Sequence, residues 1–244
     1  MKRLIKRVLN SLGFELIKSR THIEDILSMF KFNVVLDVGA NIGQFAEDIR
    51  SNGFKGRIIS FEPVMDAFKS LQSKASLDRN WIVVNAGLGL EEADKSINVT
   101  RSSVYSSFLK PLSLIEAFAG EAVKTSTRQP AILHTLDSQY ALYTHDEELV
   151  FLKIDTQGFE KNVLLGGIKS LKHIKGVQVE LSLQPLYDGE ATLTEIVSLL
   201  DANGFKMAII DPVTYDRRNG TLLQIDCIFL KDDFGPFKLF ESHN

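Results

Sequence analysis

The sequence predicts an α/β fold: a mostly parallel seven-stranded sheet with helices on both faces and an antiparallel hairpin at its end. Three observations carry this. Short β-branched apolar runs alternate with segments of helical period along most of the chain. The last two apolar runs are joined by a segment too short and too polar for a helical crossover. The chain is 44% hydrophobic over 244 residues, enough for one sizeable core.

Taken in order, strands are expected at 33–38 (NVVLDV), 57–62 (RIISFE), 81–86 (WIVVNA), 149–155 (LVFLKID) and 176–181 (GVQVEL), then at 205–210 and 222–230. Their near-continuous apolar character suits strands buried on both faces. Helical patterns fall at 42–50, 64–77, 160–171 and 193–203. The final two strands are separated by a stretch containing Asp216-Arg217-Arg218-Asn219-Gly220, and Asn-Gly is a strong hairpin turn signal. Residues 91–148 break the alternation. They hold a strand-like run at 96–100, a loop with Ser102, Ser103, Ser106 and Ser107, a helix near 113–123 and a second strand-like run at 131–136. An insertion between the third and fourth core strands projects over one end of the sheet and can shape a substrate pocket. The chain reads as one domain over 31–244, preceded by an arm over 1–30.

The arm departs from the average. Lys2, Arg3, Lys6, Arg7, Lys18 and Arg20 face Glu15 alone, while Leu4, Ile5, Val8, Leu9, Leu12 and Leu16 recur at helical spacing. This is a basic amphipathic helix, too short in its apolar runs for a secretory leader or a membrane span. It either packs on the domain with its charges in water or makes peripheral contact with an anionic membrane face. Over the whole chain the net charge is −3, so the basic surplus of a nucleic-acid binder is missing. The single cysteine, Cys227, excludes an intramolecular disulfide and a cysteine-rich zinc site, and it fits a reducing, cytoplasmic setting.

In open α/β sheets ligands bind beyond the carboxyl ends of the strands. The first strand ends in Asp37-Val38-Gly39-Ala40-Asn41-Ile42-Gly43. Gly39 and Gly43 permit a tight turn and close approach of a ligand, and Asn41 departs from the G-x-G-x-x-G of dinucleotide sites. Asp37 would repel a pyrophosphate and attract a ligand ammonium, or else cap the following helix. Glu62, at the end of the second strand, suits a ribose diol, and Asn85, at the end of the third, suits an adenine edge. Ammonium, ribose and adenine partners on three strand ends describe S-adenosylmethionine.

These residues resemble the FkbM-type methyltransferase family. The resemblance rests on LDVGANIGQFA (36–46), SFEP (60–63), VNAGLG (84–89), TLD (135–137), LKIDTQGFEKNVLLG (152–166) and VELS (179–182). It implies the Rossmann-like class I methyltransferase fold and methyl transfer to an oxygen, often a hydroxyl of a sugar or polyketide. It carries Asp37, Gly39, Asn41, Gly43 and Glu62 into cofactor roles, and Asp155 and Glu160 into the active-site region. At 156–157 the family often has Val-Glu, where this chain has Thr156-Gln157.

Methyl transfer to a hydroxyl needs an in-line acceptor, exclusion of water and a base. Asp155 and Glu180 are the leading candidates, at the ends of strands that neighbour each other in the implied topology; the alternative for Asp155, less favoured, is that it caps the next helix. With no third carboxylate evident, no metal is expected. His134 is an alternative base, and Ser103, Tyr105 and Ser106 are candidates for binding a polyhydroxylated small molecule or glycan. Two rival readings are a nicotinamide oxidoreductase, disfavoured by Asn41, and a non-catalytic Rossmann-like module held at a membrane by the basic arm, disfavoured by an intact set of cofactor residues.

Overall fold

The computed structural model describes residues 22–235. The basic segment over 1–20 lies outside the described residues. A helix α1 (Ile23–Met29) follows it and buries Ile26 and Leu27 in the core, so the end of the expected arm packs on the domain. Then come β1 (Val34–Val38), α2 (Gln44–Ser51), β2 (Arg57–Phe61), α3 (Met65–Ala75) and β3 (Trp81–Val84). A middle region holds β4 (Gly87–Gly89), β5 (Ala93–Thr100), α4 (Ser113–Ala119), β6 (Thr125–Thr135) and α5 (Leu136–Tyr143). The chain returns through β7 (Val150–Ile154), α6 (Glu160–Leu165), β8 (Gly176–Ser182), α7 (Leu193–Ala202), β9 (Phe205–Tyr215) and β10 (Leu222–Lys231).

Seven strands form one sheet in the order β3-β2-β1-β7-β8-β10-β9. All neighbours are parallel except β10, which runs antiparallel to both β8 and β9. This is the class I methyltransferase arrangement, with the expected terminal hairpin. Strand order reverses between β1 and β7, which puts the crevice of an α/β sheet at the carboxyl ends of those two strands.

Both faces are covered, as the apolar runs require. Val34, Leu36, Val38, Leu152, Ile154, Val177 and Val179 pack on one face. Val35, Ile58, Phe151 and Ile228 pack on the other, against Ile26 and Leu27 of α1 and Ala46 and Ile49 of α2. On that second face the side chains turn polar near the strand ends. Ser60, Asp37, Lys153 and Gln178 occupy adjacent register positions across β2, β1, β7 and β8.

The middle region is a second, three-stranded sheet, β4-β6-β5. Its strand β4 escapes sequence reading because Gly87-Leu88-Gly89 carries almost no strand preference. The helix expected over 160–171 stops at Leu165, where Gly166-Gly167 follows, and resumes only as a 3-10 turn at Ser170–Lys172. β9 runs to Tyr215 through Pro212, which an edge strand tolerates. Among the described residues no helix is long and apolar enough to cross a membrane.

Candidate active site

The turn after β1 is shaped by its glycine. Gly39 has φ +78°, and a Cβ there would fall 1.8 Å from the carbonyl oxygen of Asp155. Only a residue without a side chain lets the ends of β1 and β7 touch. Asn41 follows in the left-handed region at φ +49°. Its N–H donates to Glu62 Oε2 at 2.7 Å, and its Oδ1 accepts from Ser103 Oγ at 2.8 Å. Glu62 Oε1 accepts from the Val64 N–H at 2.7 Å. Asn85 Nδ2 donates to the Glu62 carbonyl oxygen at 2.9 Å and so braces that corner. Burial pushes the Glu62 carboxyl up to about 7, against the pull of the Val64 and Asn41 amides.

A second cluster stands at the ends of β7 and β8. Gln157, held at φ +55°, is its hub. Its Nε2 donates to Asp155 Oδ1 at 2.9 Å and to Glu180 Oε2 at 2.7 Å. Its Oε1 accepts from the Tyr187 hydroxyl at 2.9 Å, and its carbonyl from Ser107 Oγ at 2.7 Å. Gln224 Nε2 adds a bond to Glu180 Oε2 at 2.7 Å. Burial, then the neighbouring Asp155 and Asp226 carboxylates, raise the Glu180 pKa well above the usual carboxylate range. Asp226 is pushed up to about 6 by burial and by Asp155.

Behind both clusters lies Lys153. Its Nζ is 3.3 Å from Asp37 Oδ1, 3.5 Å from Asp155 Oδ2, and donates to the Gly39 carbonyl at 3.3 Å. Burial opposes its charge, yet Asp37 and Asp155 hold its pKa above the ordinary lysine value. Asp37 is fully buried and takes a further hydrogen bond from Ser60 Oγ at 3.0 Å.

One cavity of about 310 Å³ joins the two clusters. Of the residues proposed from sequence, Gly39, Asn41, Glu62, Ser103, Ser106, Asp155 and Glu180 line it. The others stand elsewhere. Asp37 is occupied by Lys153 and Ser60 beneath the floor, and Asn85 braces Glu62 from behind. Gly43 faces Leu71 and Trp81, where a Cβ would come within 2.9 Å of each. Glu160 Oε1 accepts from the Thr156 and Gly158 amides and from Thr156 Oγ1, holding the 156–158 turn; burial raises its carboxyl to about 7. Tyr105 packs with Tyr187 and offers it a carbonyl acceptor at 3.3 Å. His134 sits on the small sheet, bound to Glu92 at 2.5 Å, and is not a wall of the cavity.

Sequence reasoning noted Gln157 only as a departure from the family and passed over Lys153, Gln178, Gln224 and Asp226. Their signal was period-two polarity in otherwise apolar strands: Lys153/Asp155, Gln178/Glu180 and Gln224/Asp226 each alternate with buried apolar residues. Among the described residues, no group of three or more His, Cys, Asp or Glu side chains is placed to hold a metal ion.

The donor set fits S-adenosylmethionine. Each Glu62 oxygen has one lone pair filled by a backbone amide and a second left for a ribose hydroxyl. Val64, Leu88, Ile97 and Phe108 form an apolar stretch of the same wall that can take a flat base. The carboxylates of the cavity favour a sulfonium.

The chain matches the FkbM methyltransferase domain over residues 37–207. It is 28% identical over 206 residues to the AMB antimetabolite synthetase AmbE of Pseudomonas aeruginosa; the match covers 72% of this chain and 10% of AmbE, so this chain corresponds to a tenth of that relative. Among solved structures, an rRNA methylase from Streptococcus thermophilus is similar at 11% identity and a TM-score of 0.49, with 88% of this chain and 98% of that one covered. The 1,6-didemethyltoxoflavin-N1-methyltransferase of Burkholderia thailandensis is similar at 11% identity and a TM-score of 0.47, with 85% and 76% covered. The match over residues 37–207 takes in both clusters of the cavity except the β10 residues Gln224 and Asp226, and by it the chain belongs to the FkbM methyltransferase domain family, whose cofactor is S-adenosylmethionine.

Proposed function

We propose that this protein transfers a methyl group from S-adenosylmethionine to a hydroxyl oxygen of a polyhydroxylated small molecule such as a sugar or glycan unit. The observation that supports this most is the single cavity that joins Gly39, Asn41 and Glu62 to Asp155, Gln157 and Glu180. S-adenosylmethionine, when bound, supplies an electrophilic sulfonium methyl. Glu62 and the backbone of the 39–41 turn would hold it from β1 and β2. Asp155 would then face the incoming hydroxyl and take its proton as the O–C bond forms and the methyl's bond to sulfur breaks. Gln157 fixes the Asp155 carboxylate through Oδ1, and Lys153 supports Oδ2 from below. Tyr187 and Ser107 hold Gln157 in its unusual backbone conformation, so the base is positioned before the acceptor arrives. Ser103 and Ser106 line the space left for a polyol, and Ser103 Oγ, which donates to Asn41, can accept from it.

The test is Asp155→Asn, with cofactor affinity and turnover measured separately on labelled S-adenosylmethionine and a panel of sugars. Turnover should fall by roughly 10²–10⁴, the usual worth of a positioned general base, while calorimetric affinity for S-adenosylhomocysteine stays near the parent value. Near-normal turnover in the variant would remove Asp155 from the reaction. Failure of the parent to bind S-adenosylhomocysteine would remove the cofactor site.

A further inference from the structure

We infer that the acceptor carries a primary ammonium group, received by Glu180, Asp226 and Gln178; this rests on the hydroxyl-methylation reading above. Glu180 and Asp226 are direct partners in the antiparallel register of β8 and β10, so their side chains share one face. Gln178 lies two residues along β8 on that face. Asp155 follows Ile154, which pairs with Val179, and so stands level with Glu180. Opposed like charges in a strand pair destabilise a sheet, and burial adds to the cost. Uptake of a proton lowers that cost in the free protein, and a cationic ligand lowers it in the complex.

The hydrogen bonds leave three acceptor atoms unfilled. Both bonds to Glu180 land on Oε2, and Oε1 accepts none. The one bond to Asp226 lands on Oδ2, from Gln178 Nε2 at 3.0 Å, and Oδ1 accepts none. Gln178 is only 9% exposed and lines the cavity, yet its Oε1 has no donor. Its burial without a partner is a debt that a ligand donor would settle. Among the described residues no basic side chain forms an ion pair with Glu180 or Asp226; Lys153 pairs with Asp37 and Asp155 instead.

An ammonium brings three N–H donors and one positive charge to three acceptors, two of them carboxylates. A hydroxyl brings one donor and no charge. A carboxylate or phosphate is repelled. The cluster sits across Asp155 from the 39–41 turn, on the side of the cavity away from Glu62, which is the side left for the acceptor. The substrate class is therefore a polyhydroxylated amine, an amino sugar or amino-polyol, whose hydroxyl reaches Asp155 while its ammonium is held by β8 and β10.

The experiment uses the full chain saturated with S-adenosylhomocysteine at neutral pH. Two matched series are titrated: methyl glucosaminide, methyl glucoside and methyl N-acetylglucosaminide; then serinol, glycerol and glycerate. Each amine should bind at least about tenfold tighter than its hydroxyl counterpart, and glycerate should not bind. Asp226→Asn and Glu180→Gln should each bring the amine down to the hydroxyl level without changing S-adenosylhomocysteine affinity. The inference is overturned if neither amine is preferred, or if the preference survives both substitutions. It is equally overturned if Asp226→Asn weakens S-adenosylhomocysteine, because the cofactor's own amine then fills the cluster. Absence of S-adenosylhomocysteine binding in the parent would instead sink the underlying function.

Discussion

Replacing Asp226 by Asn should make the ligand-free protein more stable at neutral pH. In Asn the side-chain oxygen takes the place of Oδ2 and keeps the bond from Gln178, while the amide nitrogen takes the place of Oδ1, which accepts nothing. The exchange therefore removes a charge and little else. Burial and the Asp155 carboxylate raise the Asp226 carboxyl from 3.8 to about 6. The folded state thus holds this proton more tightly than the unfolded state does. Between about pH 4 and pH 6 the folded protein binds more protons, so stability falls as pH rises through that window. The difference between the two pKa values corresponds to about 3 kcal/mol, and partial exposure of the side chain trims this to roughly 2–3 kcal/mol. At pH 7–8 the variant should melt roughly 5–10 °C above the parent, using about 2–4 °C per kcal/mol for a chain of this size. Near pH 4 both carry a neutral group and the gap should close. Paired calorimetric scans from pH 4 to 8 read it, because the other groups cancel between the two proteins. A gap of equal size at pH 4 and pH 8, or a variant less stable than the parent at pH 8, would refute the reasoning.

Lys153→Met should cost about 3–5 kcal/mol in urea unfolding, because it leaves the fully buried Asp37 carboxylate without its cation. Adding Asp37→Asn to that variant should recover most of the loss; a strictly additive double variant would deny the coupling. Gly39→Ala should fail to reach a native fold, since its Cβ would overlap the Asp155 carbonyl at 1.8 Å. A soluble, cooperatively melting Gly39→Ala protein would contradict the close approach of β1 and β7.

Most of the architecture was legible because burial on two faces writes continuous apolar runs and the Asn219-Gly220 turn forbids a crossover. The small sheet was only half legible. Gly87-Leu88-Gly89 becomes a strand through its pairing with Leu133, His134 and Thr135, a tertiary choice that local preference does not encode. The site divides in the same way. Glu62, Asn41 and Asp155 end strands or open turns, and position alone singled them out. Asp37 shares that position, yet the pleat turns its side chain inward to Lys153, a partner 116 residues away. Glu160 looked catalytic beside Asp155, but its carboxylate serves the amides of its own turn. Gln157 carries no charge and drew notice only as a departure from the family. Its importance lies in four hydrogen bonds to groups distant from one another in sequence or cavity position.

The two walls of the cavity belong to different sheets, and this bears on how such an enzyme changes its diet. The floor is made by the ends of β1, β2, β7, β8 and β10, where any exchange disturbs several hydrogen bonds at once. The opposite wall is the short connection after β5, which brings Ser103, Val104, Ser106 and Phe108 to the cavity. Ser103 to Asn41 and Ser107 to Gln157 tie that connection to the turns after β1 and β7. Val104 is exposed and lines the cavity with an apolar side chain, whereas Ser106 is bonded to Thr100 and Phe108 packs on Phe159 within the wall offered to a flat base. Under the proposed function, a lineage or a laboratory library that varies position 104 alone explores new acceptors while the cofactor wall keeps its shape. Randomising 103 or 107 with it would loosen the turns that carry Asn41 and Gln157.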